Sequence, residues 1–245
     1  MLQQIKEQID RIKAKGATYV DTRWYPFEKQ EYLMMWNGNL KSTAASTESG
    51  VGIRVLHNGA WGFSASSDLS NIEAIYEKAF DNARVAAERV DIPIRLAEKD
   101  IIQAEFTSPN EVNPFEVELG QKVSFLKEMD DLLNKEGVAQ RIADMQFTEK
   151  KIMFLDSEGS EIEKNIIEVF ANLQVMGVDN TGNTQERTFR LSRNGNLSRG
   201  WESMNKEYFT ENAERIVKEL NMLLTADDCP KDDRSVIIMP DMMFL

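Results

Sequence analysis

The sequence predicts an α+β fold of two domains, each an antiparallel sheet packed with helices. Three observations lead there. Asn37-Gly38 and Asn58-Gly59 each stand between stretches of period-2 alternation, the signature of tight hairpins. Four segments carry the 3.6-residue periodicity of amphipathic helices with recognisable ends. Helix, long strand, turn, strand and closing helix occur in that order twice. An internal duplication is therefore a hypothesis from architecture, since residue identities barely match between the halves.

The elements follow in order. Leu2, Ile5, Ile9 and Ile12 are spaced 3, 4 and 3, a helix that Gly16 closes. Val20, Thr22 and Trp24 share one face of a strand that Pro26 turns into an edge or a bulge. Glu31–Trp36 reads as a second strand, Leu40–Thr47 as a third, and Gly50–Leu56 with Ala60–Ser64 as a hairpin. Ser70 and Glu73 form a capping box for a helix whose apolar face includes Ile72, Ile75, Tyr76, Ala79, Phe80 and Ala83; Pro93 ends it. A linker follows with one short strand at Gln103–Phe106.

Asn113-Pro114 then opens a helix, with Glu116 completing its box, that runs to Gly137. Strand periodicity returns in Val138–Thr148, Lys151–Leu155 and Glu161–Gly177, with a turn at Asp156–Gly159. Asp179–Ser203 is glycine- and asparagine-rich and reads as a mobile loop, and Lys206–Leu224 as the last helix. Ser235–Met239 reads as an apolar strand, with a helix starting at Pro240-Asp241. The expected domains are 1–95 and 96–234, with 235–245 beginning a further one.

Composition narrows the chemistry. The chain has 245 residues, 41 acidic against 29 basic, and a formal net charge of −12. That field repels a phosphate backbone, and Arg187, Arg190, Arg193 and Arg199 are too thinly spread to form a binding stripe. No apolar run reaches the roughly 20 residues of a membrane span, and the N-terminus opens as an amphipathic helix, so the cytoplasm is the expected location. Cys229 is the only cysteine and His57 the only histidine. An intrachain disulfide, a cysteine-based zinc site and any multi-histidine site are thereby excluded. His57, beside the Asn58-Gly59 turn, reads as an exposed loop residue.

Gly50–Phe63 is the stretch around which the rest is organised. Gly50, Gly52 and Gly62 occupy strand positions, where glycine weakens a strand and marks a bulge or the close approach of a backbone or ligand. A strand edge near Gly50–Gly52 or Gly62 would hold an extended peptide by backbone hydrogen bonds. Arg54 would pair with a carboxylate and Trp61 offer a flat apolar contact. The competing readings are helix packing for the glycines, a surface ion pair for Arg54 and core packing for Trp61.

At this point the residues resemble the TldD/PmbA family, described as modulators of DNA gyrase and as zinc-dependent peptidases. The resemblance rests on Gly50-Val51-Gly52-Ile53-Arg54-Val55 with Ala60-Trp61-Gly62-Phe63-Ser64. It extends to Asp156-Ser157-Glu158-Gly159-Ser160-Glu161-Ile162, and to Arg193-Asn194-Gly195 through Gly200-Trp201-Glu202. Glu48-Ser49 departs from the Asp-Arg pair common in the family. The resemblance implies a His-Glu-x-x-x-His zinc helix in a C-terminal domain, just beyond an apolar strand like Ser235–Met239. On this reading the chain is the non-catalytic N-terminal portion of such a peptidase, truncated naturally or otherwise. It has no catalytic or metal residues of its own, and zinc is expected only in the absent domain. Its partners would be a like or paralogous TldD/PmbA subunit and a peptide, with no nucleic acid and no membrane.

Two alternatives remain. One is a stand-alone protein-binding or regulatory module. The other is a hydrolase built on Glu158 and Glu161, or on Asp227, Asp228, Asp232 and Asp233, which read more simply as solvated charge. Met242–Leu245 is expected to be covered by a second copy or to be disordered.

Overall fold

In the computed structural model the described residues are 1–192, 195–227, 232, 233, 235–239 and 243. The elements are α1 (Leu2–Ala14), β1 (Tyr19–Trp36), β2 (Asn39–His57), β3 (Ala60–Ser66), α2 (Ile72–Ala87), β4 (Gln103–Thr107), α3 (Leu119–Leu133), β5 (Gln140–Asp156), β6 (Glu161–Val178), β7 (Thr184–Arg190) and α4 (Lys206–Leu223). The α-β-β-β-α order thus occurs twice. The strands hydrogen-bond in the order β3-β2-β1-β5-β6-β4, with β7 also on β6. The α+β class with a hairpin-built sheet is as expected, but β4 runs parallel to β6, from Gln103 opposite Glu161 to Thr107 opposite Asn165.

Several boundaries differ from expectation. β1 and β2 are single strands of 18 and 19 residues, each expected as two. Pro26 sits inside β1, which lies between β2 and β5 and is no edge. One proline removes a single N–H from a long ladder, and no left-handed residue follows it to reverse the chain. The reversals fall at Asn37 and Gly38 (φ 47° and 79°) and at Asn58 and Gly59 (φ 48° and 77°), the signs a type I′ turn needs. β5 likewise runs unbroken where two strands were expected.

Helix ends obey local hydrogen bonding. Gly16 (φ 99°) closes α1, its N–H reaching the Lys13 carbonyl at 2.9 Å. The cap of α2 is Asn71, accepting from the Ala74 N–H at 3.1 Å, one residue later than the expected Ser70. Ser70 instead donates its N–H to Asp68. Asn113-Pro114 starts only a 3-10 turn, Pro114–Glu116, and α3 begins after the extended Val117.

Contacts divide the chain into two compact units that are not consecutive, unlike the expected break near residue 95. Unit 1 comprises Met1–Lys29, Ser46–Ser108 and Glu149–Ile166; unit 2 comprises Gln30–Ala45, Pro109–Thr148 and Ile167–Leu245. Long strands contribute to both, so chain order and compactness part company. In unit 1, Ile5, Ile9 and Ile12 of α1 and Ile72, Ile75, Tyr76 and Ala79 of α2 pack on Val20, Val51, Ile53, Val55, Met153 and Leu155. In unit 2, α3 and α4 enclose Leu33, Met145, Phe147, Val169, Leu173 and Phe189.

The Asp179–Ser203 segment is not one loop. Thr184–Arg190 forms β7 antiparallel to β6, with Phe189 buried, and Leu197 bridges Val169. One buried apolar residue among polar ones left too weak a period for β7 to be read from sequence. Residues 235–239 belong to no strand, and Val236 and Ile237 are 75% and 91% exposed. A strand requires a hydrogen-bonding partner, which apolar sequence alone does not supply. The expected helix start at Pro240-Asp241, Cys229 and most of Met242–Leu245 lie outside the described residues.

Candidate peptide-contact site

The β2–β3 hairpin decides what its glycines do. Its register sets Gly52 opposite Ala65, Arg54 opposite Phe63, Leu56 opposite Trp61 and Val55 opposite Gly62. Side chains alternate between faces, so Val51, Ile53, Val55 and Gly62 point to the helices. Gly50, Gly52, Arg54, Trp61 and Phe63 belong to the other face, which carries no helix of unit 1. The structure therefore separates the expected contact residues: four share a face and Gly62 does not.

Gly62 is a packing glycine. A Cβ there would stand 2.1 Å from the Ala79 carbonyl oxygen and 2.2 Å from the Ala83 nitrogen. Its missing side chain admits α2 rather than a ligand. Gly50 and Gly52 are on no open edge either, because β2 is flanked by β1 and β3. Gly52 gives space on the helix-free face, where a Cβ would meet the Phe63 ring at 3.5 Å.

Arg54 grips a buried acid. Its Nε donates to both oxygens of Asp21 (3.0 and 3.1 Å) and its Nη2 to Asp21 Oδ2 at 2.6 Å. The Asp21 side chain is 1% exposed and that of Arg54 42%. The hydrogen bond to Asp21 holds the guanidinium pKa above its ordinary value, against the opposing effect of burial. The guanidinium lies 5.1 Å from the centre of the Trp61 ring, and Trp61 meets Tyr19 edge-on at 6.0 Å. Tyr19 accepts from Lys99 Nζ at 3.3 Å, and burial pushes its phenol up to about 12.

Lys99 continues the network to Asp156 at 2.5 Å. Burial would lower the Lys99 pKa, but its bonds to Asp156 and Tyr19 outweigh that and raise it. Burial would raise Asp156, yet the Lys99 hydrogen bond and the N–H groups of Ser160 and Glu158 hold it below the usual carboxylate range. Asp156 Oδ1 accepts from Glu158 N (2.9 Å) and Ser160 N (3.0 Å), while Gly159 takes φ 108°. The Asp156–Ser160 motif is thus an acid-nucleated turn. Asp21, Tyr19 and Lys99 were missed from sequence. The face read from Val20, Thr22 and Trp24 leaves Tyr19, Asp21 and Arg23 on the opposite one, but nothing local names their partners.

The third motif also has a structural basis. Glu202 accepts from Gly200 N at 2.8 Å and Val112 N at 3.1 Å, and Trp201 packs on Phe125 and Phe147, each at 5.8 Å. Arg193 and Asn194 lie outside the described residues.

His57 is occupied. The Gly16 carbonyl can only accept, so Nδ1 carries the proton toward it at 2.9 Å, and Nε2 accepts from the Asn58 amide at 3.1 Å. The ring meets Phe80 edge-on at 5.1 Å. Among the described residues no three His, Cys, Asp or Glu side chains are grouped as metal ligands. The described residues therefore offer no ligand set of the kind a catalytic zinc centre needs. Among the described residues, no helix is long and apolar enough to cross a membrane.

Comparison with known proteins adds a frame. Residues 28–83 match the family described as PmbA/TldA metallopeptidase domain 1. A metalloprotease of Methanocaldococcus jannaschii is 26% identical over 238 residues, covering 96% of this chain and 51% of that protein. A metalloprotease of Methanothermobacter thermautotrophicus is 24% identical over 210 residues, 86% of this chain and 44% of the other. The chain thus spans about half the length of the curated relatives it matches. Its fold is similar to that of a candidate modulator of a DNA gyrase from Thermotoga maritima, with TM-score 0.67 and 19% identity over 92% of this chain and 50% of that one. TldE from Thermococcus kodakarensis gives TM-score 0.58 and 12% identity over 89% of this chain and 47% of that one.

Proposed function

We propose that this chain, similar over residues 28–83 to PmbA/TldA metallopeptidase domain 1 and over most of its length to curated metalloproteases, serves as the non-catalytic, peptide-contacting portion of a TldD/PmbA-like peptidase. The observation that carries this reading is His57. The sole imidazole has both nitrogens committed, one to the turn that ends α1 and the other to the Asn58 amide. It is held as a clasp, not poised as a base or metal ligand. The partners this reading implies are a like or paralogous TldD/PmbA subunit, and peptide or unfolded protein as substrate.

Gly50, Gly52, Arg54 and Trp61 are the proposed peptide-contact residues, approached from the helix-free face; Gly62 serves by admitting α2. Arg54 is half-exposed at its outer end and Trp61 is partly exposed, so both remain open to a ligand while Asp21 and Tyr19 fix their orientation. That is a pre-organised contact, which lowers the entropy lost on binding.

The test is to purify the chain, measure zinc by mass spectrometry, and assay cleavage and photo-crosslinking of unfolded casein. The expected result is substoichiometric zinc, no cleavage, and crosslinks at Trp61 and its neighbours. Stoichiometric zinc with cleavage would overturn the non-catalytic reading. Absence of crosslinks, with recovery of an intact protein partner instead, would favour a stand-alone binding module.

A further inference from the structure

The helix-free face of unit 1 extends well beyond Arg54 and Trp61. On β1, β5 and β6, Arg23, Tyr25, Ile152, Phe154, Ile162 and Lys164 line a shallow depression of about 410 Å³. Arg23 lies over the Phe154 ring at 5.8 Å, so its charge is held beside an apolar surface. The face therefore joins several cation–aromatic contacts: Arg54 with Trp61 on β2 and β3, Arg23 with Phe154 on β1 and β5, and Lys99 with both Tyr19 and Phe154. Strands about 4.8 Å apart make this a stripe roughly 20 Å across from β3 to β6.

The sign of the exposed charge is the informative part. Asp21 and Asp156, acids of this face, have side chains 1% and 0% exposed and are already gripped by Arg54 and Lys99. Arg23 and Lys164 are exposed, and among the described residues neither enters an ion pair. In a chain of net charge −12, a depression lined by the two cations Arg23 and Lys164 and by no carboxylate is a local inversion, with the exposed Glu48 of β2 outside its lining. Apolar rings between cations suit a ligand that alternates carboxylates with apolar side chains.

We propose that this face docks an extended, acidic polypeptide segment, its carboxylates on Arg23, Lys164 and the outer edge of Arg54, its apolar side chains on Phe154, Tyr25 and Trp61. The inference rests on the peptide-contact reading above and adds the chemistry of the ligand. Carboxylates meet arginine as forked partners, and the aromatic contacts tolerate varied sequence, so selectivity is for charge pattern.

The experiment is fluorescence anisotropy with labelled peptides: one of glutamates interspersed with leucine and phenylalanine, one with lysine in place of each glutamate, and one with glutamine. The glutamate peptide is expected to bind tightest. R23A/K164A should weaken it about fivefold to tenfold, the worth of two exposed charge contacts, and leave the glutamine peptide unchanged. Both substitutions are at exposed positions, and circular dichroism checks that the variant folds. Equal binding of all three peptides, or no loss in the variant, overturns the acidic preference while the peptide-contact reading stands. Failure of every peptide to bind overturns both. Displacement of the glutamate peptide by polyuridylate would reassign the face to single-stranded nucleic acid and overturn the proposal.

Discussion

Gly62 and Ala83 meet backbone to backbone: a Cβ on Gly62 would stand 2.2 Å from the Ala83 nitrogen and 2.8 Å from its Cα. The same added atom would lie 2.1 Å from the Ala79 carbonyl oxygen. The obstructing atoms are helix backbone, so α2 would have to move off the sheet. Gly62→Ala is therefore expected to cost about 3 kcal/mol, an overpacking cost at the upper end. Urea unfolding checks it, with Gly52→Ala as the contrast. There the nearest atom is a Phe63 ring carbon at 3.5 Å, and the expected change is under about 1 kcal/mol.

Arg54 and Asp21 form a second test. Arg54→Ala leaves a carboxylate that is 1% exposed without its fork of donors. The expected loss is about 2 kcal/mol, below that of a fully buried pair because water reaches the outer end of Arg54. Arg54→Lys should recover only part of it, since an ammonium cannot donate to both oxygens in the guanidinium geometry. A full rescue by lysine in thermal unfolding would show that charge alone matters here.

The Lys99–Asp156 pair predicts a pH dependence. Asp156 has a lowered folded pKa, so its contribution is fully present above the ordinary carboxylate value of about 4 and is lost as pH falls through the lowered one. Lys99 has a raised folded pKa, so its contribution is present below about 10.4 and is lost as pH rises through the raised value. Lys99→Met should flatten stability on both limbs. At neutral pH the loss is expected under about 1 kcal/mol, because the Lys99 side chain is 40% exposed and screened. Chemical denaturation across the pH range measures it.

In unit 2, Lys122 is 2% exposed, 2.5 Å from Glu31 and 5.0 Å from the Phe147 ring centre. Lys122→Met alone strands Glu31, whose side chain is 17% exposed, at an expected cost of about 2 kcal/mol. Adding Glu31→Leu should restore most of the loss, because an apolar pair needs no compensation for lost hydration. A double variant as weak as the single one would show that the ammonium–aromatic contact carries the stability.

The sequence by itself determined the α+β class, the four helices, the turns at Asn37-Gly38 and Asn58-Gly59, and the hairpin centred on Gly50–Phe63. All are local: a periodic face or a left-handed φ is dictated by neighbouring residues. It also determined that one histidine and one cysteine limit the metal chemistry available. Only the tertiary structure decided that β1, β2 and β5 run unbroken, since strand length depends on what lies alongside. Tertiary structure alone made β7 a strand and left 235–239 without one, because hydrogen-bond partners come from elsewhere in the chain. It alone placed Gly62 beneath α2 and joined Arg54 to Asp21, 33 residues apart. Backbone approach and charge pairing are facts of distance in space, and no spacing along the chain encodes them.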